Sequence, residues 1–170
     1  MSVFTPDIML HDVTKIDNAL LDANGIKGLI LDVDNTLTDH GSQILRQSVR
    51  DWLCKMDLAG IKLIIASNNT KKRVKPFADK IGLDFVSMSC KPIGYGLSKA
   101  RKKMKLSAKE TAVVGDQIYT DIVGGNLQGM YTILVTPFLI EDKPFLRMKR
   151  SIETIHIRAY EKKNGAYNER

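Results

Sequence analysis

Four short polar clusters interrupt the apolar runs of this 170-residue chain, and each carries side chains suited to handling protons, cations or anions. The first is Leu31-Asp32-Val33-Asp34-Asn35-Thr36-Leu37, where two aspartates stand two apart as the chain leaves an apolar stretch. Both carboxylates face one cavity if the chain turns just after Asp32. The second is Ala66-Ser67-Asn68-Asn69, a small hydroxyl followed by amides. Lys91-Pro92 is the third, and Val114-Gly115-Asp116-Gln117 with Thr120-Asp121 is the fourth. Carboxylates offer acid-base chemistry or oxygen ligands for a hard cation, whereas an ammonium and a hydroxyl offer donors to an anion. Singly, each has a plainer reading: Asp32 and Asp34 as turn formers, Ser67-Asn68 as a helix N-cap, Lys91 as a solvated charge, Asp116 as another cap. What sets them apart is their shared place at the ends of apolar runs.

Those runs read as buried strands. Residues 27–33 (KGLILDV) and 61–66 (IKLIIA) are continuous in apolar character, as strands are when helices cover both faces of a parallel sheet. Residues 111–115 (TAVVG) and 130–135 (MYTILV) repeat the pattern, and 84–88 form a weaker strand. Between them, Val49, Trp52, Leu53 and Met56 fall at i, i+3, i+4 and i+7, which places one apolar stripe on a helix over 46–59. Gly60 closes it. Helices are predicted over 71–81, 94–104 and 119–128, joining the strands in right-handed crossovers. The fold class is therefore α/β, a doubly wound, Rossmann-like and mostly parallel sheet. In such sheets ligands bind outside the carboxyl ends of the strands, so the four polar clusters converge on one site.

The four blocks, in this order, resemble the motifs of the haloacid dehalogenase (HAD) phosphatase superfamily: Asp32-x-Asp34-x-Thr36, then Ser67, then Lys91, then Gly115-Asp116-x-x-x-Thr120-Asp121. Closer still, GIKGLILDVDNTL, the SNN after the second strand, the KP pair and GDQIYTDIVGGN resemble the YqeG-like branch of subfamily IIIA, related to mitochondrial phosphatidylglycerophosphatases. The resemblance implies a HAD-like fold and a phosphatase. It makes Asp32 the nucleophile that forms an aspartyl-phosphate, and Asp34 the acid that protonates the leaving oxygen and then deprotonates water. Magnesium is the implied cofactor, with Asp32, Asp116, Asp121 and the backbone carbonyl of Asp34 around it. Lys91 and Ser67 brace the phosphoryl oxygens, with Thr36 and Asn68 also on the substrate. Thr36 is open to a second role as a helix cap or loop-ordering residue. An acid at Asp34 favours phosphatase or phosphotransferase over dehalogenase, because only an alcohol leaving group needs the proton.

Neither interval between motifs, 36–67 or 67–91, has room for a separate cap domain, so the site is expected to be open and to admit a phosphate on a bulky carrier. Phosphatidylglycerophosphate is the leading substrate; soluble nucleotide or sugar phosphates are the alternative. A basic RNA- or ribosome-binding module with a vestigial site is the rival from another class, weakened by the lack of nucleic-acid-binding signatures and by few aromatics. The excess of 26 Lys+Arg over 19 Asp+Glu gives +7, a field that attracts anions without choosing among them. Residues 1–160 read as one domain with a basic C-terminal segment, and 161–170 as a frayed polar tail. No leader or membrane span is apparent, and two cysteines without metal spacing fit a reducing compartment, so a cytoplasmic chain is expected. Within it, Cys90 reads as a small buried hydrophobe without a role. Lys99, Arg101, Lys102, Lys103 and Lys105 read as the solvated face of a helix. Lys143, Arg147, Lys149 and Arg150, interleaved with Phe138, Leu139, Phe145, Leu146 and Met148, fit either an interfacial helix on an anionic membrane or a helix docked on the core.

Overall fold

The computed structural model describes residues 2–137, 156–158, 160 and 162. The basic segment around Lys143–Arg150 and, apart from position 162, the tail over 161–170 lie outside the described residues. Six strands form one sheet: β1 (Ile8–Leu10), β2 (Gly28–Leu31), β3 (Lys62–Ala66), β4 (Asp84–Val86), β5 (Thr111–Gly115) and β6 (Tyr131–Val135). Their order is β1-β6-β5-β2-β3-β4, and every pair is parallel.

Parallel neighbours need crossovers, and between residues 8 and 135 these are served by the α-helices α1 (Asn18–Ala23), α2 (Gln47–Leu58), α3 (Lys71–Ile81), α4 (Tyr95–Met104) and α5 (Val123–Leu127). The side-chain alternation of β2 shows how the two faces are filled. Leu29 and Leu31 point to the layer that holds Val49, Trp52, Leu53 and Met56 of α2 with Val74 and Phe77 of α3. Ile30 points to the other layer, against Leu97, Ala100 and Met104 of α4. Trp52 keeps its polar tip satisfied, its Nε1–H donating to the Ile16 carbonyl at 2.8 Å. Buried on both faces, the central strands read as continuous apolar runs.

The predicted elements stand close to their expected bounds, with two additions and one change. The edge strand β1 and the helix α1 were absent from the sequence reading. The segment predicted as one helix over 119–128 begins instead as a π-helical turn at Ile118–Ile122 and becomes α5 only afterwards. No separate cap domain occurs between β2 and β4, where α2 and α3 fill the intervals. No helix among the described residues is long and apolar enough to cross a membrane.

β2 lies at the point where the chain's winding reverses, with β3 and β4 on one side and β5, β6 and β1 on the other. The crevice at the carboxyl end of such a strand is where α/β sheets bind ligands. Because α3 both covers the sheet and heads one wall of that crevice, Phe77, fully buried on its inner side, ties core to site. Replacing it with Ala is expected to cost about 3–5 kcal/mol by chemical denaturation, the range for large aromatic truncations in close-packed cores.

Candidate active site

Register delivers the first acid. Leu31 pairs with Ile65 on one side and Val114 on the other, and the Asp32 N–H donates to the Val114 carbonyl at 2.9 Å, so Asp32 is anchored at the strand's end. The chain then turns sharply. The Val33 carbonyl accepts from the N–H groups of Leu37 at 3.0 Å and Thr38 at 3.2 Å, and Asn35 takes a left-handed φ of 61°. That turn folds Asp34 back over the crevice. Thr36, expected on the substrate, is buried inside the turn, 1% exposed, with no hydrogen-bond partner for its Oγ1 among the described residues. The structure therefore places it within the loop and not on the cleft wall.

β3 delivers Ser67, whose N–H donates to the Val86 carbonyl while its own carbonyl accepts from the Ser89 N–H, both at 3.0 Å. Its Oγ accepts from the Asn69 N–H at 3.2 Å. The Asn68 amide is engaged with the Lys91 segment. Its Oδ1 accepts from the Lys91 N–H and the Ser89 hydroxyl, both at 2.8 Å, and its Nδ2 donates to the Lys91 carbonyl at 3.0 Å. Gly96 completes this packing, since a Cβ there would lie 2.3 Å from the Ser89 carbonyl oxygen.

Held this way, Lys91 sends its side chain, only 3% exposed, into the crevice. Its Nζ donates to Asp32 Oδ1 at 2.7 Å and the Ala66 carbonyl at 2.8 Å, and lies 2.7 Å from Asp121 Oδ1. Asp121 comes from the π-helical turn, where its Oδ2 accepts from the Gln117 N–H at 3.2 Å and the Thr120 hydroxyl at 3.3 Å. Gly115 admits that carboxylate, because a Cβ at 115 would stand 2.3 Å from Asp121 Cγ. Asp32, Asp116 and Asp121 each offer an oxygen within 4.8 Å of the others.

This cluster is electrostatically uneven. Burial pushes the Asp32 carboxyl up to about 7; Lys91 opposes the rise, while Asp121 and Asp116 add to it. The Lys91 ammonium is desolvated too, but Asp121 and Asp32 outweigh that and hold it firmly protonated. Three carboxylates crowded beside one ammonium leave an excess of negative charge that a divalent cation would neutralise, and oxygen donors this close suit one.

Above the cluster lies a cleft of about 230 Å³ lined by Asp32, Asp34, Ser67, Asn68, Asn69 and Lys91, with His40, Gln117 and Thr120 completing the wall. The Asp34 carboxylate stands apart from the other acids: Gly41 N–H and Arg73 Nη2 donate to its Oδ1 at 2.8 and 2.9 Å, and Asn69 Nδ2 donates to its Oδ2 at 2.8 Å. Asn69 stands in the second polar cluster without a role assigned to it, and Arg73 was not singled out from sequence. That the two flank the start of α3, one turn apart, matters only once Asp34 is known to face them. Cys90 departs from its reading as a buried hydrophobe; it is exposed, its Sγ–H toward the Met88 carbonyl at 3.3 Å. A left-handed φ of 55° at Cys90 turns its side chain outward as Lys91 turns in.

The chain is similar to known hydrolases in sequence and in fold. A family model for haloacid dehalogenase-like hydrolases matches residues 29–91, and one described as HAD-hydrolase-like matches 89–137. "Probable phosphatase YqeG" of Bacillus subtilis is 34% identical over 160 residues, 94% of this chain and 93% of that protein. Phosphatidylglycerophosphate phosphatase 1 of Arabidopsis thaliana is 28% identical over 87% of this chain, which spans only 45% of the plant protein. Among solved structures, 3-deoxy-D-manno-octulosonate 8-phosphate phosphatase of Yersinia pestis shares the fold at a TM-score of 0.53 and 18% identity, over 89% of this chain and 92% of that one. Matched by haloacid dehalogenase-like family models over residues 29–137 and by a phosphatase relative across most of its length, this parallel sheet is that of a HAD-superfamily phosphatase. The chain belongs to the YqeG family of phosphatases within that superfamily.

The raised carboxyl of Asp32 sets a pH dependence. Between its ordinary 3.8 and about 7 the folded, cation-free protein binds more protons than the unfolded chain. The stability this group contributes is therefore fully present below about pH 4 and lost as pH rises through about 7. Thermal unfolding in EDTA is expected to show a fall in Tm across about pH 4–7 that is shallower in Asp32→Asn. A divalent cation should offset that fall, with an affinity that rises over the same window as it displaces the proton.

Proposed function

We propose that this phosphatase is a magnesium-dependent phosphomonoesterase working through an aspartyl-phosphate on Asp32, with phosphatidylglycerophosphate as its substrate and residues 1–160 as its one domain. The observation that carries the reading is the buried meeting of Lys91 with Asp32 and Asp121, closed by Asp116 at the neighbouring strand end. Phosphoryl transfer is chiefly positioning and charge neutralisation, so a nucleophile braced by a cation is the group it needs most.

In this reading an oxygen of Asp32 bonds phosphorus as the bond to the alcohol oxygen breaks, and Asp34 gives its proton to that departing oxygen. Water then attacks phosphorus of the aspartyl-phosphate and loses its proton to Asp34, which restores Asp32 and releases phosphate. Lys91 holds the nucleophile in place and faces the phosphoryl oxygens, and Ser67 donates to the same oxygens. Asn68 serves the substrate through its grip on the Lys91 backbone. Asp32, Asp116 and Asp121 would hold the cation, with the Asp34 carbonyl beside them; when bound, Mg²⁺ supplies positive charge against the phosphoryl oxygens. A cleft without a cap suits a phosphate presented on a bulky lipid, and relatives named for phosphatidylglycerophosphate support that choice, with contact at a membrane surface as its corollary.

The test is turnover of purified protein with Mg²⁺ on micellar phosphatidylglycerophosphate, on glycerol 3-phosphate and on a panel of nucleotide and sugar phosphates. Asp32→Asn is expected to fall to background and Asp34→Asn to lose at least about 100-fold on alkyl esters, the lower end for general acid catalysis. EDTA should abolish activity and excess Mg²⁺ restore it. Rapid hydrolysis of a soluble phosphate with the lipid untouched would move the substrate to the soluble class, and full activity in Asp32→Asn would remove the nucleophile.

A further inference from the structure

Asp34 is the one acid of the cleft held by neither Lys91 nor the acidic cluster, and its surroundings are unusually complete. Two of its donors, Asn69 Nδ2 and Arg73 Nη2, come from the head of α3, and the third is the Gly41 N–H of the loop that follows the first motif. The Arg73–Asp34 pair is partly buried, the side chains 28% and 12% exposed, so water screens it less than a surface pair. Arg73 does more than pair. Its Nη2 also reaches the Ser42 carbonyl at 3.4 Å, and its own carbonyl accepts from Gln43 Nε2 at 3.3 Å. Lys80, two turns further along α3, donates to the Gln43 carbonyl at 3.2 Å. The loop carrying Gly41 is thus laced to α3 with Arg73 at the crossing.

We infer that Arg73, with Asn69, is the positioning device for the acid-base group: it fixes the Asp34 carboxyl so that one oxygen meets the leaving group of the substrate. This inference rests on the phosphatase reading above. Gly41 and Arg73 both occupy Oδ1, whereas the partner of Oδ2 among the described residues is the neutral Asn69 amide. Oδ2 is therefore the oxygen that carries the proton to the departing alcohol as the phosphorus–oxygen bond breaks and the bond to Asp32 forms. Neither Asn69 nor Arg73 touches the reacting atoms in this scheme. They act through Asp34, and their effect should depend on how badly the leaving group needs a proton.

That dependence gives the test. The quantity to measure is kcat/KM, which covers only the steps through departure of the leaving oxygen, for glycerol 3-phosphate and p-nitrophenyl phosphate in wild type, Arg73→Ala, Arg73→Lys and Asn69→Ala. An alkoxide is a poor leaving group without a proton and p-nitrophenolate is a good one. Arg73→Ala is expected to lower kcat/KM about 100-fold on the alkyl ester and less than about fivefold on the aryl ester. Asn69→Ala should follow the same ordering to a smaller extent, and Arg73→Lys should recover part of the alkyl activity by restoring a charged donor. Equal losses on both esters, or none on either, would overturn the inference, since a structural or substrate-binding role does not sort esters by leaving group. Should Arg73→Ala fail to fold, Arg73→Gln, which keeps the stem and an amide donor, carries the same comparison. Wild type inert on micellar phosphatidylglycerophosphate as well as on both esters, or Asp32→Asn still active, would instead sink the phosphatase reading and this inference with it.

Discussion

An ammonium buried among carboxylates is the constraint that organises this protein. Lys91 is nearly without solvent, and its Nζ finds Asp32, Asp121 and the Ala66 carbonyl, each within 2.8 Å. Charges removed from water in this way persist only when paired and hydrogen-bonded, and removing one partner of such a set typically costs about 3–5 kcal/mol. The three acceptors come from three different strand ends or the turns beyond them. The sheet must therefore bring β2, β3 and β5 side by side for Lys91 to be tolerated, and the switch point of a doubly wound sheet is the place where it can.

The loops show what that requirement imposes locally. Between β4 and α4 the chain passes through left-handed residues at Met88 and Cys90, with φ of 48° and 55°, an uncommon conformation for residues other than glycine. The Asn68 amide, clasping the Lys91 backbone from both sides, and Gly96, yielding space to Ser89, hold the segment in that shape. Gly115 yields space in the same way to Asp121. Small residues and side-chain amides here act as spacers and clamps, so that the charged groups meet at hydrogen-bonding distance.

Much of this was legible in the sequence. The central strands are continuous apolar runs because both faces are covered, and α2 showed its stripe at Val49, Trp52, Leu53 and Met56 because only one of its faces is. Ser67, Lys91 and the aspartates announced themselves by standing where such runs end. What escaped was short, irregular or relational. β1 has three residues at a sheet edge, too few for a period, and α1 has six. The π-helical turn at Ile118–Ile122, which carries Asp121 against Gly115, has no distinct sequence pattern. Asn69 and Arg73 are ordinary polar residues near a helix start, and only the folded turn after Asp32 reveals what they face.

The lack of a cap gives those two residues their weight. Where a second domain closes over a site, it can aim catalytic groups and expel water as it shuts. Here α2 and α3 merely fill the intervals in which a cap would sit, so whatever aims Asp34 must belong to the rigid frame. The head of α3 is well suited to that duty. Its inner side is anchored in the core through Val74 and Phe77, both essentially inaccessible to solvent, while Arg73, adjacent to Val74 in sequence, faces the loop. A side chain borne on a packed helix places its partner more reproducibly than one borne on a loop. The loop around Gly41 and Ser42 is thereby drawn into the frame by hydrogen bonds from the helix. An open cleft and a well-aimed acid are compatible only because the helix that replaces the cap also takes over its positioning work.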